Sequence, residues 1–447
     1  MRFFARKSSQ RTRRLEPPQP VTPGPGRDNS PGPSLRQKVL FPFVTLSLAL
    51  LIIWGLPELV IRTADPLLES FRAIEFGGDP NSPKLFMKDW RLHWKLRPSV
   101  ETSFLQTTVR TDRYGFRGSD TVGDRRRVLC LGDSTVFGYR VEESEVFSAR
   151  LLARLNGVGK PGKPWAVINA GVPGYTSFQL RLLAEKLVPR WKPEVIVVCV
   201  GNNEAWPVNR SDKQIDTART MTRRLVQLLS ASRFLVWAAE KIHPEKPQPF
   251  IAPDLATAVP RVAGSEYAEN LGAIANIARS ANARLILLSP PVNLYWPPMR
   301  VEQFPGWEKW QEFYRSVQEL RDANKSKEML QVVNLALAEN PDSFYALWIK
   351  GAALTHVGRV DEGRELLEQA IERHPFPENC KRSYRNILAR IAYEIPTAYL
   401  DVNDLFRRHA AGPTPQNLYI DWCHPTPQGH SLIADALFET IKSTDKR

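Results

Sequence analysis

Cysteine is scarce in this chain, and what there is follows no metal-site pattern. Cys130, Cys199, Cys380 and Cys423 include no C-x-x-C pair, which sets aside zinc ribbons and dithiol redox motifs. Cys130 and Cys199 fall inside apolar runs and read as buried thiols that behave as small hydrophobes. No cluster of metal-ligating residues and no phosphate-binding glycine loop is found, so no metal or other cofactor is expected. The G-x-S-x-G elbow is also missing, which argues against an ordinary α/β-hydrolase.

Long apolar runs are lacking too, with one exception. Residues 39–57 carry no charge over 19 positions, close to the ~20 residues a helix needs to cross a bilayer. Trp54 lies near one end, where the interface favours an aromatic ring. Upstream, residues 1–38 hold nine Lys/Arg, two acids and many prolines, and so supply +7 of the net +14. That composition buries too little apolar area to fold. No A-x-A-like cleavage site follows the run. The expectation is a disordered cytoplasmic tail at 1–38 and a transmembrane helix at 39–61, with the remainder outside a bacterial inner membrane by the positive-inside rule. The charge is assigned to the membrane rather than to nucleic acid.

Residues 62–125 resist assignment. They contain Trp90, Trp94 and the loop-like string from Thr111 to Gly118, and read as a juxtamembrane segment packed on the main domain. From 126 onward, short apolar runs alternate with helical spacing. The runs lie at 127–131, 165–169, 195–200, 283–288 and 398–402. Runs apolar on both faces belong to a parallel sheet covered on both sides. Helices are expected at 146–155, 178–187, 213–240 and 429–441. The class is therefore α/β, a three-layer sandwich around a central parallel five-stranded sheet.

Residues 305–395 have no strand signal and divide that domain into 126–304 and 396–447. Pro341 and Pro375 lie 34 positions apart, each closing a similar string. Leu347, Gly351, Leu354, Gly363, Leu367 and Ala370 fit the small/large pattern of a tetratricopeptide repeat, with a weaker copy from Phe313 to Ala336. Two units are few for a free solenoid, so the insert should lean on the α/β domain and offer a surface to a protein partner.

Four strings carry candidate chemistry. Gly132-Asp133-Ser134-Thr135 follows the first run, where a serine on a strand-to-helix turn is exposed and faces a helix N-terminus. The second string, from Asn169 to Ser177, holds Gly171 and Gly174 and permits a tight loop with outward N–H groups. Gly201-Asn202-Asn203-Glu204 offers an amide to a developing oxyanion. Asp421-Trp422-Cys423-His424 can set a carboxylate against an imidazole N–H. Each alone also fits a helix cap or an ordinary turn. His430 reads as structural at the next helix start, and His243 as a helix end. Among 12 tryptophans, Trp206 is the candidate carbohydrate platform.

Taken together, the order and spacing of these strings resemble the SGNH hydrolase family, also called GDSL-like lipases and esterases. The resemblance covers about 126–300 and 396–442. It implies a flavodoxin-like sheet with Ser134 as nucleophile, His424 as base and Asp421 as its orienter. The implied oxyanion hole is formed by the N–H groups of Ser134 and Gly174 and the side chain of Asn203. Thr135 stands where the family usually has Leu, and Glu204 where it has Asp. The implied activity is a serine esterase acting on O-acyl, chiefly O-acetyl, esters of cell-surface carbohydrate. Two alternatives are a polysaccharide O-acyltransferase with the same triad and a non-catalytic membrane-tethered scaffold.

Overall fold

The computed structural model describes residues 35–64, 79, 81–89, 91–118, 123–157, 162–218, 232, 234–235, 238, 254–298, 307–339, 341, 343–395 and 397–444. The expected tail at 1–38 lies almost wholly outside them, as do Trp90, His243 and most of the helix expected at 213–240. Only Asp212–Ala218 is described as helix at the start of that stretch.

Residues 1–63 separate from the rest as a unit of their own. A helix runs over Leu35–Leu50, passes through a π-turn at Leu51–Gly55 and continues over Leu56–Ala64. Pro57 has no N–H to give the carbonyl four residues back, and the π-turn sits just before it. Phe41, Ile53 and Leu59 all stand mostly exposed, so the helix is apolar around its circumference. Leu40–Ile61 is long and apolar enough to cross a membrane. Its 22 residues rise ~33 Å at 1.5 Å each.

The second unit is built on five parallel strands, β1 Arg126–Gly132, β2 Trp165–Gly171, β3 Val195–Cys199, β4 Arg284–Leu288 and β5 Ala398–Leu400. Their order is β5-β4-β3-β1-β2. The chain leaves β1 for β2 on one side and returns to β3 on the other. Such a reversal opens a crevice at the carboxyl ends of the strands.

Alternation along the strands explains the two faces. Leu129, Leu131, Ile196, Val198 and Leu287 point to one side, against helices Ser177–Trp191 and Gly264–Ser280. Val128, Cys130, Val195, Val197 and Ile286 point to the other, against helices Phe147–Leu155 and Pro427–Thr444. Cys130 and Cys199 are buried and free, as are Cys380 and Cys423. β5 ends two residues earlier than the apolar run suggests. Asp401 takes N–H bonds from Asn403 and Asp404 and starts helix Val402–Arg408 instead.

Two hairpins of four-residue strands precede the sheet, Phe86–Asp89 with His93–Leu96 and Glu101–Phe104 with Thr107–Arg110. Phe86, Leu96, Phe104 and Val109 join the first of the two cores. Between β4 and β5 the described residues form helices Trp307–Asp322, Ser326–Glu339, Phe344–His356, Val360–Arg373 and Arg382–Glu394. Gly351 and Gly363 let two of them touch. A methyl on Gly351 would lie 2.8 Å from the Gly363 carbonyl oxygen.

Candidate active site

β1 ends on a residue that must be small. A Cβ on Gly132 would lie 2.1 Å from Val136 and 2.6 Å from the Cys199 carbonyl. One on Gly171 would lie 2.3 Å from the Phe137 nitrogen. The space so freed holds a single-turn helix, Ser134–Phe137. Asp133 caps it, its Oδ1 accepting the Thr135 N–H at 2.8 Å. One turn leaves its carbonyls without intrahelical partners. Buried Arg117 serves the last of them and the loop that follows, donating to the oxygens of Phe137 (2.6 Å), the C-cap Gly138 (2.5 Å) and Val141 (2.5 Å). Burial draws its guanidinium down to about 10, so the charge persists at neutral pH.

Ser134 Oγ stands 2.8 Å from His424 Nε2. On the other side of the ring, Nδ1 lies 2.8 Å from each oxygen of Asp421. Asp421 Oδ1 also accepts the N–H groups of Cys423 (3.1 Å) and His424 (3.0 Å). Burial pushes that carboxyl up, but the bonds from His424 and the two N–H groups outweigh it and hold it below the usual range. All three residues are nearly enclosed, at 9% exposure for Ser134, 4% for His424 and 2% for Asp421. The Tyr139 ring stacks on the imidazole at 4.3 Å, and Trp422 meets it edge-on at 5.8 Å. Trp422 in turn touches Trp296, which is 36% exposed. Asp421, Cys423 and His424 bring ligand-type atoms within 4.8 Å of one another. Here Asp421 and His424 are engaged with each other, and burial keeps the Cys423 thiol protonated.

The other two strings flank this group. Val172, Pro173, Gly174 and Tyr175 form a β-turn closed by the Tyr175 N–H on the Val172 carbonyl (3.2 Å), with Gly174 at φ +80°. Asn203 Nδ2 donates to the Tyr175 carbonyl at 3.0 Å and lies 3.5 Å from Asp133 Oδ2. Glu204 is buried and accepts the Ser177 N–H at 2.7 Å and the Asn203 N–H at 3.2 Å. Burial pushes its carboxyl up to about 8, and that of Asp133 to about 6. The structure thus joins Ser134, His424 and Asp421 directly. It sets Asn203 against the turn that carries Gly174 and the residue that precedes Ser134.

The family model of the GDSL-like lipases and acylhydrolases matches residues 130–356, just over half of the chain. The chain belongs to that family. It is an ester-hydrolysing enzyme. Similar solved structures include TesA (15% identity, TM-score 0.33, covering 71% of this chain and 99% of that one). Another is Axe2, an acetylxylan esterase from Geobacillus stearothermophilus (15%, TM-score 0.35, 72% and 95%). A third is LAE5, an alpha/beta hydrolase enzyme from a Lake Arreo metagenome (14%, TM-score 0.34, 70% and 94%). No curated protein matches.

In this GDSL-like acylhydrolase the matched stretch contains Ser134, Gly174 and Asn203 but stops short of Asp421 and His424. Several neighbours of the site escaped the reading of the sequence. Asn293, after β4, donates to the Asp421 carbonyl at 3.0 Å and binds the Trp422 carbonyl through its own N–H at 2.8 Å. Its position just beyond a strand end was the one available signal. Tyr139, Arg117, Trp94 and Arg261 carried none. His430 is structural, as expected. It is fully buried, accepts the Phe147 N–H at 3.3 Å, and burial holds it neutral at about 3. Trp206 is half-buried, and its carbonyl accepts the Arg261 N–H.

Proposed function

We propose that this enzyme is a membrane-anchored, extracytoplasmic serine esterase that removes O-acyl groups, chiefly O-acetyl, from cell-surface carbohydrate. The observation that carries the proposal is the continuous line of hydrogen bonds from Ser134 Oγ through His424 to Asp421, each at 2.8 Å. His424 Nε2 takes the Ser134 proton as Oγ bonds to the ester carbonyl carbon. The carbonyl electrons move onto oxygen, where the N–H groups of Ser134 and Gly174 and the Asn203 amide receive the charge. The tetrahedral adduct collapses, and His424 returns the proton to the departing alkoxide. Water then repeats the sequence on the acyl-serine. Asp421 remains ionised throughout and holds the imidazole in one orientation.

Trp296 and Trp422 support a sugar-bearing substrate. They extend an aromatic surface from the solvent to the edge of His424, the kind of face against which a pyranose can lie. The near-enclosure of Ser134 favours one second reading, transfer of the acyl group to a sugar hydroxyl in place of water. Product analysis with an oligosaccharide acceptor separates the two. The basic tail and the helix Leu40–Ile61 support an anchor with the tail in the cytoplasm. The close glycine contact between helices Phe344–His356 and Val360–Arg373 supports a tetratricopeptide-like insert that receives a protein partner. A serine-directed fluorophosphonate tests the chemistry. The expected adduct maps to Ser134, and an adduct on any other serine, with Ser134 unmodified, overturns the assignment.

A further inference from the structure

Trp94 lies on the strand His93–Leu96, upstream of the stretch that matches the family. Its indole Nε1–H donates to the Pro173 carbonyl oxygen at 3.0 Å. That oxygen shares one planar trans peptide with the N–H of Gly174, and the two point in opposite directions. Whatever holds the oxygen therefore aims the N–H.

The turn itself needs such a hold. Proline at its second position and a glycine at φ +80° in its third make a type II turn. Rotating the central peptide by half a turn gives the type I form, which glycine tolerates equally well. The rotation would reverse the Gly174 N–H. In the type II form the Pro173 oxygen faces Trp94, and the flipped form forfeits that bond.

Trp94 is in turn gripped from two sides. The Tyr175 hydroxyl donates to its carbonyl at 2.5 Å. The Arg261 guanidinium lies 5.6 Å from its ring centroid and donates to the Gly174 carbonyl at 2.7 Å. Asp212, buried, fixes Arg261 with contacts of 2.9 and 3.2 Å. We propose that Trp94 is a positioning residue, which locks the Val172–Tyr175 turn in its type II form and so directs the Gly174 N–H at the oxyanion. The proposal rests on the reading of Gly174 as an oxyanion donor. It places one support of the reaction in the segment between the N-terminal helix and the sheet.

The test replaces Trp94 by 3-benzothienylalanine, which keeps the bicycle and exchanges N–H for sulfur, and separately by Phe (W94F). Both are assayed on p-nitrophenyl acetate beside wild type, Ser134→Ala and Asn203→Ala, with rates normalised to the folded fraction from circular dichroism. In both variants kcat is expected to fall about ten-fold or more, with KM within about two-fold. Affinity for a phenylboronic acid should weaken in parallel with kcat, a pattern that mere loosening of the fold does not give. Undiminished kcat in the benzothienyl protein, or a loss that vanishes on normalisation, overturns the role of Trp94. Full activity in Ser134→Ala instead overturns the serine mechanism. Full activity in Asn203→Ala, with both Trp94 variants also fully active, removes the oxyanion assignment as well.

Discussion

Tyr139 lies nearly parallel to His424, with ring centroids 4.3 Å apart and planes inclined by 22°. The tyrosine comes just after the C-cap of the single-turn helix that carries Ser134. One short segment thus supplies both the hydroxyl and a floor for the base. Aromatic pairs are worth ~0.5–1.5 kcal/mol beyond their buried area, so Tyr139→Phe should keep near-native kcat. Tyr139→Ala should lose about three- to ten-fold. Steady-state rates of ester hydrolysis check the difference, and equal activity in the two variants counts against the stacking role.

Asp421 accepts three donors at once. Asp421→Asn preserves the shape of the turn but puts an N–H group where the imidazole needs an acceptor. A loss of kcat by about 10³–10⁴ is expected, with folding retained. Turnover of p-nitrophenyl acetate together with the thermal midpoint measures both parts.

Glu204 links acidity to stability. Burial raises its folded pKa from 4.5 to about 8, so the folded enzyme keeps a proton that the unfolded chain gives up. Stability contributed by this group is therefore full below about 4.5 and declines as pH rises towards 8. Glu204→Gln keeps an acceptor for Ser177 and removes the titration. Its stability relative to wild type should grow by on the order of a few kcal/mol between pH 5 and 8. Denaturant titrations at the two pH values decide it, and a constant difference between the proteins rejects the linkage.

Arg117 satisfies three carbonyls from within the core. Arg117→Met leaves the buried Phe137 and Val141 oxygens without that donor, at roughly 1–3 kcal/mol each, while the Gly138 oxygen keeps the Val141 N–H at 3.2 Å. The expected result is a loss of several kcal/mol, read from the denaturation midpoint. Activity should fall with it, because the helix those bonds terminate begins at Ser134.

Much of this arrangement could be read from the chain alone, and the reason is local. β1 to β4 are apolar on both faces, so their runs stand out without reference to neighbours. Ser134, Gly174, Asn203, Asp421 and His424 sit in short strings at recognisable places along the strands and helices. Trp94, Arg261 and Asn293 do their work through contacts 79, 87 and 128 residues away in sequence, which no local pattern encodes. The hairpins at Phe86–Leu96 and Glu101–Arg110 leave little trace in the sequence because strands of four residues give too short an alternation to detect. β5 was overrun because Asp401 acts as a helix cap within a seemingly continuous run.

The bond between Ser134 and His424 spans 290 positions along the chain, and the five helices between β4 and β5 are among the elements that emerge from the ribosome in that interval. During synthesis the serine turn, the sheet centre and the helical insert are all made before the imidazole exists. The nascent chain therefore carries its nucleophile long before its base, and gains the base only after β5 has come through.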